Sequence, residues 1–506
     1  MLLLNPIFQD SMVLQRGKPI ILAGVSSAAQ KLSVLIAGRE VVQGIEVFND
    51  FEITIPPQEA MFDTELEISG TVDKISFKNV DIGEVWIAGG QSNMEYSFRK
   101  DEDYEKASEA NDRHIRYFEV WKYAFDGEEK DGFKDSSGWG RWMDLRKENS
   151  ADFSAVGVYF ALKAKESLNV PIGVIGCSWG GTTASAWLDR AHLEEVPQLR
   201  PYTDEYNENL KKLKSLDKYI DLDFKGRKLL ASPLAKKFDL GQKLSLIEKL
   251  QFVLAMPAML RSSRTMGPRN TNRPCGLHET MVSKAQGYTA RGVIWYQGES
   301  DDNKADIYHF LFSAVIKCWR DGFKDESLQF LFVQLAPFGK WYGISGKNYP
   351  ILRREQEWVS KNVPGAYMAS IMDSGDALDI HPKRKRPVGE RLALLALGKV
   401  YGKDILCDPP EFKGGTVSSG QVRLEFANAP GGLVLKGEKL NALEAFVDGK
   451  PVEHEAVVDN EAIVLKSKAF TESSSIEARF AWTGYCEVNL YNASNLSAKP
   501  FLWKNR

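Results

Sequence analysis

The chain has 506 residues, and at roughly 150 residues per domain this length predicts about three domains. Hydrophobic residues make up 43% and charged residues 26%, a composition typical of globular proteins that excludes a largely disordered chain. Lys plus Arg number 65 against 68 Asp plus Glu, so the chain lacks the basic excess of a general nucleic-acid binder.

The N-terminal segment MLLLNPIFQDSMVLQRGKP lacks the basic and apolar regions of a secretory signal peptide. No apolar run is long enough to span a bilayer. The five cysteines are scattered without a CxxC pair, which predicts neither a disulfide framework nor a zinc knuckle. We therefore expect a cytoplasmic protein, or a secreted or periplasmic one if an export signal was removed.

In chain order, three regions differ in their patterning. Short strand-like segments follow one another over residues 1–80 and predict a β-sandwich-like domain. From residue 81 to 402, short apolar runs alternate with helical stretches, which is typical of a parallel α/β sheet. Residues of about 190–270 interrupt this rhythm and predict a helical insertion, a lid or cap. Strand-like segments return over residues 403–506 and predict a second all-β domain.

Two glycine-containing segments follow apolar runs of the predicted sheet. In GGQSNM, Ser92 lies between a glycine turn and a helix start, where its hydroxyl can reach a cleft and its N–H can face an oxyanion. A helix N-cap is the alternative role. In CSWGGTT, Gly180 and Gly181 allow close backbone approach to a ligand and supply N–H donors. A tight strand–helix turn is the alternative there.

A third segment, WYQGESD, follows the apolar run ARGVI. The amide of Gln297 can donate to an oxyanion at a strand end. Glu299 can orient an imidazole or serve as a structural ion-pair partner. Trp295 and Tyr296 are either site aromatics or simple core residues.

The fourth segment, DSGDALDIHP, contains the strongest histidine candidate. The chain has only six histidines, and His381 lies in a loop after a predicted strand with three aspartates nearby. His278, just before the third segment, is a weaker candidate. The basic run 383–386 (KRKR) that follows is either a solvated helix start or a recognition element for an anionic substrate.

Together, GQSNM, SWGGT, WYQGESD and DIHP followed by VGERLA resemble the sialate O-acetylesterases. These belong to the wider SGNH hydrolases, which also include acetylxylan esterases. The resemblance covers nearly the whole chain, from NPIFQDSMVLQRGKPI to NLYNASNLSAKPF. It implies an SGNH-like three-layer α/β/α parallel sheet, flanked by N- and C-terminal all-β domains. It also implies a serine esterase that needs no metal or cofactor.

The resemblance also implies roles for individual residues. Ser92 matches the nucleophile of the family and His381 its general base. Gly180 or Gly181 falls at the position of the oxyanion-hole glycine, and the Ser92 N–H is a further donor. Gln297 stands where the wider group commonly has an asparagine.

The third catalytic member has two candidates. Many SGNH enzymes have an acid three residues before the histidine, but that position here is Leu378. The nearest acid is Asp379, which we favour modestly because it is close to His381 in sequence. Glu299 is the rival partner.

The expected partner is a small acetylated sugar, neither a nucleic acid nor a membrane. We expect O-acetylated sialic acid, with Trp179 and Trp295 able to stack on a sugar ring and Arg386 able to bind a carboxylate. Acetylated xylan or another carbohydrate ester is the alternative substrate. A non-enzymatic carbohydrate-binding protein and a metal-dependent deacetylase are the competing classes.

Overall fold

A computed structural model of the protein describes residues 1–132, 139–239 and 242–506. Over these ranges, six parallel strands and one antiparallel edge strand form the central part of a large mixed sheet. In spatial order these strands are Trp142–Leu145, Asp112–Glu119, Ile172–Ser178, Lys74–Gly90, Gly292–Tyr296, Gln329–Val333 and Ala366–Ala369. The antiparallel member is the first of them.

The strand Lys74–Gly90 lies in the middle of this sheet, between Ile172–Ser178 and Gly292–Tyr296. The chain first forms the strands on one side of it and then crosses to the other side, so the direction of the connections changes there. In open parallel sheets such a reversal opens a crevice at the carboxyl ends of the strands. The predicted serine, glycine and glutamine segments all leave the sheet at this edge.

Helices cover the sheet, and a capping side chain marks where one of them begins. Ala155–Leu168 begins after Ser154, whose hydroxyl accepts from the Gly157 N–H, and it packs on Arg386–Leu395. Tyr308–Gly322 packs on Tyr349–Asn362. The shorter α-helices of this region are Ser92–Glu95, Tyr104–Ala107, Lys147–Ser150 and Ser283–Ala285. The 3₁₀ and π turns are Phe98–Lys100, Glu128–Asp131, Ala184–Ala186, Pro197–Leu199, His278–Val282, Glu299–Ile307 and Ala396–Val400.

The stretch predicted as a helical insertion consists of consecutive helices. They are Arg190–Glu195, Arg200–Lys212, Leu216–Leu230, Pro233–Asp239 and Leu246–Arg264. The last begins with a capping box, in which Ser245 and Glu248 each accept a backbone N–H of the other. Among the described residues, no helix has the length and apolar character needed to cross a membrane.

The N-terminal region forms antiparallel strands that continue into the central sheet. They are Leu2–Leu4, Ile20–Ile36, Arg39–Ile55 and Met61–Gly70. A further strand, Val13–Gln15, pairs in parallel with Lys74–Gly90. The strand Lys74–Gly90 pairs with Met61–Gly70 through its first half and with the central strands through its second half. The predicted boundary at residue 80 therefore falls inside a single strand.

The C-terminal region contains two four-stranded antiparallel sheets that share one apolar core. One consists of Glu411–Ser418, Gln421–Ala427, Ala462–Lys466 and Glu455–Asp459; the other consists of Lys450–Pro451, Leu443–Val447, Ile476–Phe480 and Phe501–Lys504. Two-residue strands pair as Val434–Leu435 with Leu490–Tyr491, and as Lys340–Trp341 with Ile344–Ser345. The prediction of a mixed α/β protein with additional all-β regions is confirmed.

Candidate active site

Ser92 lies at the first turn of a short helix that directly follows the central strand Lys74–Gly90. The turn requires glycine at position 90, where φ is 131° and a Cβ would lie 2.2 Å from the carbonyl oxygen of Tyr296. The backbone N–H groups of a first helical turn have no intrahelical acceptor. The N–H of Ser92 is thus placed to donate to a bound group.

His381 is brought to Ser92 by a loop that two aspartates organise in different ways. Asp373 forms a buried ion pair with Arg391 at 2.6 Å, which anchors the start of the loop. Asp376 accepts the N–H groups of Leu378 and Asp379, which folds the middle of the loop into a turn. The His381 Nε2 atom then lies 2.8 Å from the Ser92 hydroxyl oxygen.

The Ser92–His381 contact is the geometry of a nucleophile and its general base. An imidazole protonated on Nδ1 accepts the serine hydroxyl proton at Nε2. Burial, reinforced by the positive charge of Lys385, lowers the pKa of His381 to about 4. The ring is therefore neutral at physiological pH and able to take that proton. Trp341 packs edge-on against it, with 5.5 Å between the ring centroids.

The two candidate acids occupy different environments. Asp379 lies beside the imidazole, with Oδ1 3.8 Å from His381 Nδ1, and that oxygen accepts the His381 backbone N–H at 2.8 Å. Glu299 is buried in the interior, and its Oε1 accepts the Asn93 side-chain amide at 2.6 Å. Burial raises the pKa of Glu299. The carboxylate that faces the free imidazole nitrogen is that of Asp379.

Asn93, the residue after the serine, links the serine turn to the histidine loop. Its Nδ2 donates to Glu299 Oε1 and, at 3.0 Å, to the carbonyl oxygen of Ile380. Its Oδ1 accepts from the ammonium of Lys385 at 2.5 Å. Lys385 belongs to the predicted basic run, but its side chain is buried. It is therefore neither a solvated charge nor a surface contact for an anionic substrate.

The glycine loop approaches the serine closely. A Cβ on Gly180 would lie 3.2 Å from the Ser92 Cβ and 2.9 Å from a carboxylate oxygen of Glu95. The N–H of Gly180 donates to this carboxylate, which also pairs with Lys122 at 3.0 Å. In this structure the Gly180 N–H is therefore engaged, whereas the neighbouring Gly181 borders an open cleft.

The predicted oxyanion role of Gln297 does not agree with its position. The side chain is completely buried, and its Nε2 donates to Asp301 at 2.6 Å and to the Thr182 carbonyl oxygen at 3.1 Å. Its Oε1 accepts from Tyr308. Both amide hydrogens are thus committed, and Gln297 joins neighbouring segments instead of facing the reacting atoms.

Two of the three residues predicted to contact the sugar instead contact other side chains of the protein. Trp295 is 1% exposed and stacks on Phe312, because its strand is covered on both faces. Arg386 pairs through Nε with Asp103 at 2.8 Å and lies over the ring of Tyr159, so it is engaged within the protein. Both corrections have one cause: contacts from elements distant in sequence. The third, Trp179, is half-buried and does line a cleft.

Three clefts border the catalytic loops, and helices of the insertion contribute to each. The one beside His381 has a volume of about 640 Å³ and includes Phe238 of the insertion. A second, of about 400 Å³, borders Trp179 and Gly180. A third, of about 370 Å³, borders Gly181. The insertion thus forms walls around the site.

Comparisons with known proteins agree with the motifs. A family model described as carbohydrate esterase, sialic acid-specific acetylesterase, matches residues 270–397, which include His381. Sialate O-acetylesterase of Mus musculus is 24% identical over 402 residues, and that of Rattus norvegicus 26% over 370 residues. The chain resembles the sialic acid-specific acetylesterases. The matches cover 72% and 69% of this chain, and 66% and 61% of those relatives.

The fold has a solved counterpart. The crystal structure of a carbohydrate acetylesterase from Xanthomonas citri matches with a TM-score of 0.77 and 25% sequence identity. The match covers 100% of both chains, so it includes both flanking β regions as well as the central sheet.

Sequence reasoning missed three residues of the site. Asn93 stands within the quoted GQSNM motif, and its position next to the serine was the available signal. Lys385 was visible only as part of a basic run. Glu95 offered no signal, since its contact with Gly180 joins segments 85 residues apart.

Proposed function

We propose that this protein is a serine esterase that removes O-acetyl groups from acetylated sugars through an acetyl-serine intermediate. The observation that carries the proposal is the 2.8 Å contact between Ser92 Oγ and His381 Nε2 at the carboxyl edge of the sheet. The resemblance to carbohydrate esterases supports the ester class. We further propose the SGNH-type three-layer arrangement for the central sheet and its helices, between the N-terminal and C-terminal β regions.

The proposed reaction has two halves. His381 Nε2 takes the proton of Ser92 as Oγ attacks the acetyl carbonyl carbon. The resulting imidazolium then protonates the departing sugar oxygen, which leaves as a hydroxyl. His381 then takes a proton from water as the water oxygen attacks the acetyl-serine, and it returns that proton to Ser92 Oγ as acetate leaves. Asp379 holds the imidazole with its proton on Nδ1 and stabilises the imidazolium.

The oxyanion is held by backbone donors in this proposal. The Ser92 N–H is one donor, and the Gly180–Gly181 loop supplies the other. Use of the Gly180 N–H requires that its bond to Glu95 be given up when substrate binds. Gln297 supports this loop from behind through the Thr182 carbonyl.

We propose O-acetylated sialic acid as the substrate. Three cationic side chains, those of Arg99, Lys100 and Lys383, line the cleft beside His381. They outnumber the two carboxylates there, those of Asp239 and Asp379, and favour a sugar that carries a carboxylate. Lys100 pairs with Asp239 and Arg99 with Asp152, whereas Lys383 is exposed at the rim.

The test is acetate release from three esters: O-acetylated sialic acid, acetylated xylan and 4-nitrophenyl acetate. We expect the highest kcat/KM on the sialate. Lys383→Met should raise KM for the sialate and leave hydrolysis of the neutral 4-nitrophenyl ester unchanged. Equal activity on acetylated xylan would contradict the sialate assignment and leave the esterase chemistry standing. No acetate release from any ester would overturn the proposed function.

A further inference from the structure

Lys385 is a buried cation next to the proposed catalytic pair. Its side chain is enclosed, with Nζ 4.6 Å from the ring centroid of Tyr96 and 5.8 Å from that of Tyr296. Burying an ammonium is costly unless partners compensate for the lost water. The side-chain oxygen of Asn93 lies within hydrogen-bond distance of Nζ, at 2.5 Å.

Glu299 faces the opposite side of the same amide. Its Oε1 accepts from Asn93 Nδ2 at 2.6 Å, so the Asn93 side chain bridges a buried cation and a buried carboxyl group. An ammonium can only donate hydrogen bonds, and a carboxylate can only accept them. The two groups therefore fix which end of the Asn93 amide carries the oxygen and which carries the nitrogen.

That orientation matters for the position of His381. With its nitrogen on the Glu299 side, Asn93 also donates to the carbonyl oxygen of Ile380 at 3.0 Å. Ile380 directly precedes His381, and Asn93 directly follows Ser92. A reversed amide would direct an oxygen at that carbonyl oxygen and push the two loops apart. The amide therefore sets the spacing between nucleophile and base.

We propose that Lys385 and Glu299 are a pair of positioning residues that act through the Asn93 side chain to hold His381 against Ser92. This inference rests on the proposed function for its catalytic meaning. It assigns Glu299 to the support of the serine–histidine contact and leaves the role of acid to Asp379.

The charge of Lys385 provides a readout that a merely structural role would not move. Two cations, Lys385 and Lys100, disfavour the imidazolium of His381, while Asp379 and Glu95 favour it, and burial lowers its pKa further. The carboxyl groups that act on Lys385 itself are those of Glu299, Asp101 and Asp379. Burial lowers the pKa of Lys385 to about 7, so it is charged wherever His381 titrates.

The experiment measures the His381 pKa by NMR in protein labelled at histidine Cε1, with the resonance assigned from a His381→Ala variant. In Lys385→Met the pKa should rise by about one pH unit, because a nearby like charge is removed. The acidic limb of kcat/KM should move to higher pH with it. Turnover should fall by about 10- to 100-fold, since the Asn93 amide is no longer oriented.

Two further variants keep the test decisive. Lys385→Gln removes the charge but keeps an amide donor, so it should show the raised His381 pKa with a smaller loss of turnover; it carries the test if Lys385→Met does not fold. Lys403→Met removes an equal charge from an exposed position and should change nothing. An unmoved His381 pKa, or wild-type turnover, in folded Lys385→Met would overturn the inference. A wild-type protein without esterase activity would instead overturn the proposed function, because the NMR shift does not depend on turnover.

Discussion

At the scale of single residues, the account depends on which carboxylate serves His381. Asp379→Asn should lower kcat by up to about 10⁴-fold, because an amide cannot stabilise the imidazolium and favours the wrong tautomer. Glu299→Gln should lower kcat far less, by about 10²-fold at most. The Glu299 carboxyl group contacts Asn93 and not the imidazole itself. Steady-state kinetics on 4-nitrophenyl acetate compare the two. A larger loss in Glu299→Gln would reverse the assignment, and equal mild losses would indicate a Ser–His dyad.

The environment of His381 also makes a prediction about pH. A general base is active only when neutral, so kcat/KM should fall as the pH drops through the pKa of His381 in the free protein. Burial and Lys385 lower that pKa to about 4, so activity should persist well below pH 6 and disappear around pH 4. A profile of kcat/KM against pH, taken where circular dichroism shows the protein folded, measures this. An acidic limb near the ordinary histidine value of about 6.5 would contradict the described surroundings.

The residues that sequence reasoning found are those defined by short local motifs. Ser92 and His381 each follow an apolar run and stand among recognisable neighbours, so their meeting was predictable. Gln297 and Trp295 were misassigned because tertiary packing buries both side chains and supplies partners such as the Thr182 carbonyl oxygen and Phe312, which no local pattern reveals. The role of Lys385 could not be predicted from the run KRKR, because Lys383 and Arg384 are exposed whereas Lys385 is buried.

At the scale of elements, the loop after Ile172–Ser178 approaches the serine closely. Gly180→Ala would bring a Cβ to within 3.2 Å of Ser92 and 2.9 Å of Glu95. Overpacking of this kind costs about 1–3 kcal/mol, so misplacement of the serine should lower kcat by about tenfold or more. Turnover and melting temperature measured together separate activity from stability.

The matched control for this loop is Gly414→Ala. A Cβ at Gly414 meets nothing within 4 Å, and it lies in the C-terminal β region. Its turnover should equal that of the wild type. If Gly180→Ala is as active as Gly414→Ala, the glycine loop does not approach the reacting serine as described.

Element types were more predictable than their boundaries. The apolar runs, the helical insertion and the C-terminal strands were visible from periodicity. The sequence did not reveal that the strand Lys74–Gly90 continues past the boundary placed at residue 80. Asp81 and Gly83 lie within this strand but are residue types common in turns. Pairing on both sides keeps this strand extended, and pairing is not a local property.

At the scale of the whole molecule, Glu84 joins the N-terminal strands to the central sheet. It is buried and accepts hydrogen bonds from Gln15, Arg16 and Arg291 at 2.7–3.0 Å. Glu84→Ala should destabilise the protein by about 2–3 kcal/mol, somewhat less than a fully buried pair because both arginines are partly exposed. Urea unfolding measures the loss. The exposed Glu472→Ala is the control, and an equal midpoint in both would show that the junction contributes nothing.

The central claim is that Ser92 is an activated nucleophile, and covalent labelling tests it most directly. A fluorophosphonate probe should modify the wild-type protein once, on the peptide that contains Ser92, as read by mass spectrometry. Labelling should be lost in Ser92→Ala and in His381→Ala, and kept in Ser419→Ala, an exposed serine in the C-terminal region. Acetate release should disappear with the label, while circular dichroism of Ser92→Ala stays that of the wild type. Labelling at another serine, or full turnover in Ser92→Ala, would contradict the account.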